Sequence, residues 1–314
     1  MRTVTHCLAC GSDDLERTES VLAPFIKSYV GERHDAPGPD VTDPWLLRCR
    51  ECGLSFFDRR YTDSETRVLY SEYRSAAYQA HRQRFEPLYT AALNARIGSD
   101  EAVIRRRRER VGEFLAAHLG SEVSTLLDFG GDAGQFLPDL PTAKKWVLEL
   151  SDVQPVAGVT RVARLEDLPG PVDLLVLAHV LEHVTDPASL LDELGASVVP
   201  GGHLYVEVPL DRPGIPPEWA KPLHGRWVRF LNRGDKRIRT ADLLSTPLRV
   251  AARGRWVPGT FPRLHEHLTY FTPHSLAVLL QRAGWTEVAR LEYTHGGGFT
   301  DSLALGMLAR RDGL

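Results

Sequence analysis

Cysteine is scarce in this sequence: there are four cysteines in 314 residues, and all of them lie before residue 53. No apolar run approaches the roughly 18 residues that a membrane span needs, and the first residues contain no apolar core of the signal-peptide type. The formal net charge is −3, so the chain lacks the positive excess that nucleic-acid-binding proteins carry. We therefore expect a cytoplasmic protein with no transmembrane segment and no nucleic-acid partner.

The remaining composition is typical of a globular protein, with 43% hydrophobic and 25% charged residues. The length is sufficient for one large domain and a small one. The positions of the cysteines, of a helical stretch and of a strand-rich remainder predict three parts. These are a small module over residues 1–60, a helical linker over 61–120 and a large domain over 121–314.

The cysteines form two C-x-x-C pairs, each followed by glycine: Cys7 with Cys10, and Cys49 with Cys52. Four thiolates on two tight turns suit a closed tetrahedral structural zinc site. Thirty-eight residues separate the pairs, and Ala36–Pro39 is typical of a loop inserted between them. Two disulfides or a redox-active C-x-x-C are the alternatives; a cytoplasmic location disfavours the first, and no thioredoxin-like context supports the second. We predict a zinc-ribbon-like module with structural Zn²⁺.

The linker is predicted to end in a helix that packs on a sheet. Val111, Phe114, Leu115 and Leu119 recur at helical spacing and would face that sheet. The run Arg105–Arg108 precedes them. In a chain of nearly neutral charge, we interpret this run as a solvated helix face.

The stretch Leu126–Phe136 predicts a buried parallel strand that runs into a glycine-rich turn and then opens a helix. Gly130, Gly131 and Gly134 permit a tight turn and let the backbone approach a ligand closely. In a doubly wound sheet, nucleotide-like ligands bind at the first turn between a strand and a helix. A purely structural turn is the alternative interpretation.

Strands alternate with helices through the rest of the chain, which predicts an α/β fold with a mostly parallel sheet. Glu149, at the end of the second strand, could accept hydrogen bonds from both hydroxyls of a ribose, or it could be a surface carboxylate. Leu165–Leu168 could border an adenine. The predicted strands are Lys145–Leu150, Thr160–Val162, Val172–Leu177, His203–Val208, Trp285–Tyr293 and Thr300–Ala309, and the predicted helices are Ala188–Val198 and Thr272–Ala283.

These residues resemble a known family. From about Ser121 to Arg311 the chain is similar to the class I methyltransferases that depend on S-adenosylmethionine. The N-terminal cysteine pattern resembles the zinc-binding module that precedes this domain in some methyltransferases of sugar and natural-product biosynthesis. The matching elements are DFGGDAG (Asp128–Gly134), LEL (Leu148–Leu150), LEDLP (Leu165–Pro169), HVLEHVTDP (His179–Pro187), VPGGHLYVEVP (Val199–Pro209) and HLTYFTPHSLAVLLQRAGW (His267–Trp285).

The resemblance implies a Rossmann-like sheet of seven strands whose last hairpin is antiparallel. It also implies an S-adenosylmethionine site, with His179 beside the sulfonium and the acceptor. Asp132 stands where the family usually has glycine, and its carboxylate could pair with the cofactor's ammonium or face solvent. The implied cofactor residues are Asp128, Gly130, Gly131, Asp132 and Gly134 at the methionine part, Glu149 at the ribose, and Leu165, Glu166 and Asp167 at the adenine.

The segment 210–271 is predicted to be a lid over the acceptor site. It contains twelve Lys or Arg against five Asp or Glu, with Trp219, Trp227, Phe230 and Trp256 interleaved. Such a lid could bind an anionic small molecule, for example a nucleotide sugar or a phosphorylated or carrier-bound intermediate. A solvated subdomain with its own small core is the alternative, and docking of Trp219–Arg239 on a membrane surface is a weaker one.

Methyl transfer is an in-line displacement at a sulfonium methyl, for which a protein chiefly supplies alignment and exclusion of water. A hydroxyl acceptor also benefits from a base, and His179, His265 and His267 are the candidates. We therefore predict an O-methyltransferase of sugar or natural-product biosynthesis. The alternatives are a C- or N-methyltransferase on the same scaffold, and a non-catalytic module that binds a partner through its zinc knuckles and basic segment.

Overall fold

The computed structural model describes residues 1–33, 43–120, 123–140, 144–149, 153–252, 255–295 and 302–312. The predicted loop Ala36–Pro39 lies outside these residues, as do Leu150, Arg253 and Thr300 of the predicted elements. Within the described residues, no helix combines the length and the apolar character needed to cross a bilayer.

The chain forms two compact units. The first unit contains residues 1–7, 11–97 and 211–270, and the second contains 8–10, 98–210 and 271–314. The segment 211–270, predicted to be a lid, thus belongs to the same unit as most of the N-terminal residues. The three-part division by function stays a prediction.

Short strands and helices make up the first unit, whereas longer strands dominate the second. In chain order the elements are β1 (Arg2–Thr3), β2 (Leu15–Glu19), β3 (Val21–Leu22), α1 (Pro24–Arg33), β4 (Trp45–Cys49), β5 (Ser55–Phe57), β6 (Arg59–Arg60), α2 (Asp63–Ser71), α3 (Ala76–Gln83), α4 (Ala91–Arg96), α5 (Glu101–His118), β7 (Thr125–Phe129), β8 (Lys144–Leu148), β9 (Val159–Val162), β10 (Val172–Ala178), α6 (Pro187–Gly195), β11 (Val198–Pro209), α7 (Lys221–Leu231), α8 (Asp235–Ala252), β12 (Arg263–Leu264), β13 (Thr269–Tyr270), α9 (Pro273–Arg282), β14 (Trp285–His295) and β15 (Ser302–Arg311).

A seven-stranded sheet is the centre of the second unit, in the order β14-β15-β11-β10-β7-β8-β9. The five strands from β11 to β9 are parallel, while β15 runs antiparallel to both β11 and β14. The predicted class I methyltransferase sheet with an antiparallel last hairpin is therefore confirmed. The carboxyl ends of the parallel strands share one edge, and the residues that follow β7, β8, β9 and β10 lie along it.

Helix α5 packs its apolar stripe on this sheet as predicted. Val111, Phe114 and Leu115 share a buried cluster with residues of β7, β10 and β11. The prediction for the preceding arginine run is wrong at Arg107, which is buried, because it lies four residues before Val111 and so faces the sheet too. Arg105, in contrast, is exposed and lies 4.0 Å from Glu109.

The helix predicted after the glycine turn does not form: residues 130–140 make turns, a bend and irregular chain. Pro138 explains this difference, because proline has no N–H to donate to a helix and restricts the residue before it. Helix α9 agrees with its prediction, since Thr272 caps it by accepting a hydrogen bond from the Ser275 N–H, and Pro273 opens its first turn.

In the first unit, residues far apart in sequence pair to form small sheets. Strand β13 joins the sheet of β5, β4 and β2, and β12 pairs with β3. The segment 211–270 also shares a buried cluster with Val21, to which Val228, Leu231, Ile238 and Phe261 contribute. This segment is therefore built into the first unit through both backbone pairing and a common core.

Candidate active site

The glycine turn after β7 has the left-handed backbone conformation that its sequence predicts. Gly130 and Gly134 have φ of +71° and +75°, and Asp132 adopts φ of +55° without being glycine. The Gly130 N–H donates to the Leu148 carbonyl at 2.8 Å, which fixes the turn against the end of β8. The turn therefore lies at the carboxyl edge of the sheet, beside the strand that leads to Glu149.

Asp128 lies under this turn and is only 2% exposed. A Cβ on Gly131 would meet Asp128 Oδ2 at 2.1 Å, so only glycine fits above that carboxylate. Among the described residues Asp128 Oδ1 has no hydrogen-bond partner. Burial, opposed by Arg107 and reinforced by Glu149 and other acids, raises the pKa of Asp128 to about 7.

Glu149 and Asp132 are tied to the same turn. The Asp132 N–H donates to Glu149 Oε2 at 3.1 Å, while the Asp132 carboxylate accepts from Gln135 Nε2 at 2.9 Å. Glu149 is half-buried at this contact. Asp132, predicted at the methionine part, and Glu149, predicted at the ribose, are thus hydrogen-bonded to each other at the sheet edge. Their roles at a cofactor stay predictions.

The predicted adenine residues follow β9. Leu165–Asp167 form one 3₁₀ turn, in which Asp167 Oδ2 accepts from the backbone N–H of Arg164 at 3.1 Å. Leu165 is partly buried, whereas Glu166 and Asp167 are exposed. Their role at an adenine stays a prediction.

His179 follows β10 and is held in the left-handed region with φ of +56°. Its Nε2 lies 3.0 Å from Glu207 Oε1, and its Nδ1 lies 3.4 Å from Glu182 Oε1. Strands β10 and β11 pair in parallel with Ala178 opposite Glu207, which explains why Glu207 reaches the residue after β10.

Glu207 is completely buried and accepts hydrogen bonds from several donors. Arg107 Nε donates to its Oε1 at 2.9 Å. The hydroxyls of Tyr205 and Tyr293 donate to its Oε2 at 2.9 Å and 2.7 Å. Burial alone would raise the pKa of Glu207, but Arg107 and His179 outweigh it and hold that pKa well below its usual range.

The same contacts decide the charge of His179. Burial lowers the pKa of its ring, but hydrogen bonds to Glu182 and Glu207 outweigh burial and raise the pKa to about 9. At neutral pH the ring is therefore an imidazolium, which donates hydrogen bonds and has no lone pair to accept a proton. The two carboxylates favour the protonated ring, and the catalytic role of His179 stays a prediction.

Glu207, Arg107 and Glu182 were not among the predicted site residues. The sequence does indicate that Glu207 has a partner, because it lies inside the apolar strand VPGGHLYVEVP and a buried carboxylate needs one. Arg107 could also have been predicted to be buried, because it lies one helical turn before Val111 and so on the same face of α5 as the apolar stripe.

The other two candidate bases, His265 and His267, belong to the first unit. His265 is buried and stacked on Phe25, with Nε2 2.8 Å from Glu86 Oε1 and Nδ1 3.6 Å from Glu266 Oε2. His267 is about one third exposed, and its Nδ1 lies 3.5 Å from Asp211 Oδ2. Carboxylates thus face both ring nitrogens of His265, and one faces Nδ1 of His267. Their catalytic roles stay predictions.

The four cysteines come together as the C-x-x-C spacing predicts. Their Sγ atoms all lie within 4.8 Å of one another, and Cys7 Sγ lies 3.5 Å from Cys52 Sγ. Cys7, Cys49 and Cys52 are buried, and Cys10 is partly buried. Zinc–sulfur bonds of about 2.3 Å in a tetrahedron place the sulfurs about 3.8 Å apart, so this donor set fits Zn²⁺.

Comparison with known proteins adds the family. Residues 101–290 match the family described as a methyltransferase domain. Proteins with curated descriptions give no match. The chain is similar to two solved structures. The N-methyltransferase NodS of Bradyrhizobium japonicum is 19% identical, with 68% of this chain and 98% of NodS covered and a TM-score of 0.38. The 1,6-didemethyltoxoflavin-N1-methyltransferase of Burkholderia thailandensis is 18% identical, with 87% and 98% covered and a TM-score of 0.44.

The family match spans more than half of the chain and includes the glycine turn, Glu149, His179 and Glu207. It also covers β7 to β11 and the first six residues of β14. The sheet order, the position of the glycine turn at the edge of the sheet and the family match all indicate the same class of protein. The chain therefore belongs to the S-adenosylmethionine-dependent methyltransferases.

Proposed function

We propose that this methyltransferase methylates a small-molecule or glycan-precursor acceptor at an oxygen that is already ionised or readily ionised when it binds. The observation that carries the proposal is the state of His179. Its ring nitrogens face Glu207 at 3.0 Å and Glu182 at 3.4 Å, so it supplies positive charge rather than a proton acceptor. An imidazolium stabilises a neighbouring anionic oxygen, and an ionised oxygen needs no base.

The cofactor would be held by the turn after β7. Asp128, with its buried Oδ1, and the backbone at Gly131 fit the methionine part of the cofactor. Glu149 fits its ribose hydroxyls. When bound, S-adenosylmethionine supplies the activated methyl group on its sulfonium. The protein's own contribution is to align the acceptor with that methyl group and to exclude water.

An anionic acceptor, such as a nucleotide sugar or a phosphorylated or carrier-bound intermediate, stays part of the proposal. Four cations of the segment 211–270 are committed to ion pairs within the first unit, namely Lys221, Arg229, Arg249 and Arg263. Only the remaining cations are available for an acceptor. A role in natural-product biosynthesis and a cytoplasmic location rest on the sequence patterns alone.

We also propose that Cys7, Cys10, Cys49 and Cys52 bind one structural Zn²⁺. What supports it is the convergence of four Sγ atoms within 4.8 Å of one another. Four protein ligands complete a tetrahedral shell and leave no open position for substrate, so this zinc would stabilise the fold rather than take part in the reaction.

Methylation at nitrogen or carbon is the second candidate, and it likewise needs no base at His179, because a neutral amine or a stabilised carbanion also arrives as a nucleophile. The test is incubation with S-adenosylmethionine labelled in its methyl group. The acceptor panel contains carboxylic acids, acidic phenols, nucleotide sugars and amines. We expect label on an oxygen of an acidic acceptor.

Label on nitrogen or carbon only would establish the second candidate instead. A contrary result is methyl transfer to weakly acidic alcohols at a rate that falls by about 10²-fold or more in His267→Ala. This would show that a base operates and would contradict the proposal. Cofactor binding without transfer to any acceptor would favour the non-catalytic alternative.

A further inference from the structure

Exposed large apolar side chains are concentrated in one stretch of the first unit. Of the fifteen such side chains among the described residues, seven lie between positions 219 and 250. Trp219 is 72% exposed and Leu244 is 70% exposed. Single exposed apolar residues are ordinary, whereas a group of this size marks an interaction surface. The seven are Trp219, Leu223, Phe230, Leu243, Leu244, Leu248 and Val250.

On helix α7 these residues lie opposite the buried face. His224, Gly225, Val228 and Leu231 are buried, whereas the outward positions at i, i+3 and i+7 are Leu223, Arg226 and Phe230. Trp219 precedes Leu223 by one helical turn. The outer face of α7 therefore alternates apolar side chains with a cation.

Helix α8 continues this surface. Its buried residues are Ile238, Ala241 and Ser245, and beside them Arg237, Leu244 and Leu248 form an exposed stripe at i, i+7 and i+11. The Arg237 guanidinium lies 4.3 Å from the centre of the Phe230 ring and donates to the Phe230 carbonyl at 3.1 Å. This contact joins the two outward faces, which together we call the α7–α8 face.

The α7–α8 face is positively charged. Residues 211–252 contain nine Lys or Arg and four Asp or Glu, a net charge of +5, in a chain whose total is −3. Arg226, Lys236 and Arg237 are exposed and form no ion pair with any carboxylate of the described residues. Their charges are therefore directed to solvent.

We propose that the α7–α8 face docks on the surface of an anionic lipid bilayer. Tryptophan, phenylalanine and leucine on a helix face enter the boundary between headgroups and acyl chains, while exposed lysine and arginine face the phosphates. A second copy of the chain is a poorer occupant, because a symmetric dimer would bring Arg226 and Lys236 of both copies together.

The test is sedimentation of the full chain with vesicles of equimolar phosphatidylcholine and phosphatidylglycerol, compared with vesicles of phosphatidylcholine alone. We expect binding to the anionic vesicles that weakens as salt is added. The double variants Leu244→Ser/Leu248→Ser and Arg226→Glu/Lys236→Glu should each reduce the partition coefficient by about tenfold or more.

Matched controls are Val288→Ser for the apolar change and Arg105→Glu/Arg310→Glu for the charge change, all at exposed positions of the second unit. These should bind vesicles as the unchanged chain does. Every variant is also titrated with S-adenosylhomocysteine, because unchanged affinity separates a docking defect from loss of fold and from failure of the proposed function.

Absence of binding to anionic vesicles would overturn the proposal. So would equal binding by the controls and by the two α7–α8 variants. A dimer that dissociates in Leu244→Ser/Leu248→Ser and does not bind vesicles would assign the face to a second copy instead.

Discussion

At the scale of single residues, one buried carboxylate in the second unit has an unusual number of partners. Glu207 is completely buried, yet it accepts hydrogen bonds from Arg107, Tyr205 and Tyr293 and lies 3.0 Å from His179 Nε2. An isolated charge at this depth would be very costly, and these partners offset the cost. The arrangement fixes His179 in position and in charge.

The first prediction concerns pH and His179. Its folded pKa is about 9 against an ordinary value of 6.5, so the folded chain holds a proton that the unfolded chain releases between these values. The resulting stabilisation is complete below about pH 6.5 and is lost as the pH rises through 9. We expect the free energy of unfolding to fall over this range by no more than about 3 kcal/mol, since the ring is 31% exposed.

Urea denaturation at a series of pH values checks this. His179→Asn should flatten the decline, whereas His274→Asn, at an exposed position on α9, should leave it as it is. A decline of the same size in both variants would show that His179 is not its source.

The second prediction concerns Gly131. A methyl group there would approach Asp128 Oδ2 to 2.1 Å, and the Asp128 carboxylate is buried, so its side chain would have to shift. We expect Gly131→Ala to lower the free energy of unfolding by about 1–3 kcal/mol and to weaken S-adenosylhomocysteine binding. Gly170→Ala is the control, because its Cβ meets nothing within 4 Å. Wild-type affinity and stability in Gly131→Ala would remove the turn from the site.

The third prediction concerns Glu149. Loss of its carboxylate removes the acceptor of the Asp132 N–H and the proposed acceptor of the ribose hydroxyls. Glu149→Ala should therefore weaken cofactor binding by about 1–3 kcal/mol, measured by calorimetry. Glu193→Ala, on the exposed side of α6, should bind as the unchanged chain does. Unchanged affinity in Glu149→Ala would exclude Glu149 from the cofactor site.

At the scale of elements, the strands of the large sheet could be predicted within a few residues. Alternation and apolar runs mark β7 to β10, and glycine or proline marks their ends. Strand β11 was predicted as His203–Val208 but begins at Val198, because the strand continues through Pro200-Gly201-Gly202, a sequence that is typical of a turn. Tertiary pairing with β10 outweighs that local preference, and the register shifts at this point.

Other elements were beyond reach from sequence. Strands β3 and β12 have two residues each and pair across more than 240 positions, so they have no periodicity to detect. The ring of His265 is held by Glu86, which lies 179 positions away in the sequence. Local patterns contain no information about such contacts, and this is why the candidate base could not be recognised as part of a buried network.

The fourth prediction concerns the cysteine group. Cys49 ends β4, and its partners converge on it, so a bound Zn²⁺ would fix the end of that strand. Elemental analysis should find one zinc per chain, and Cys49→Ser should lose it. Chelation should destabilise the N-terminal residues while S-adenosylhomocysteine binding by the second unit is retained, and added zinc should reverse the effect. Fresh protein without zinc and with four reactive thiols would contradict the assignment.

At the scale of the whole molecule, two kinds of information identify the enzyme class. The sheet order and the antiparallel last hairpin give the fold, and the family match over residues 101–290 gives the methyltransferase assignment. The fold alone would not define an activity, since the same architecture supports many functions. The turn after β7 and the end of β8 lie at the carboxyl edge of the sheet, and we propose that Asp128, Gly131 and Glu149 hold the cofactor there.

The most direct test of the central claim is a calorimetric titration of the full chain with S-adenosylhomocysteine. The account predicts saturable binding at one site per chain, weakened in Gly131→Ala and in Glu149→Ala and unchanged in Gly170→Ala. Absence of binding by folded, zinc-loaded protein would contradict it, and so would binding that is equally strong in all three variants.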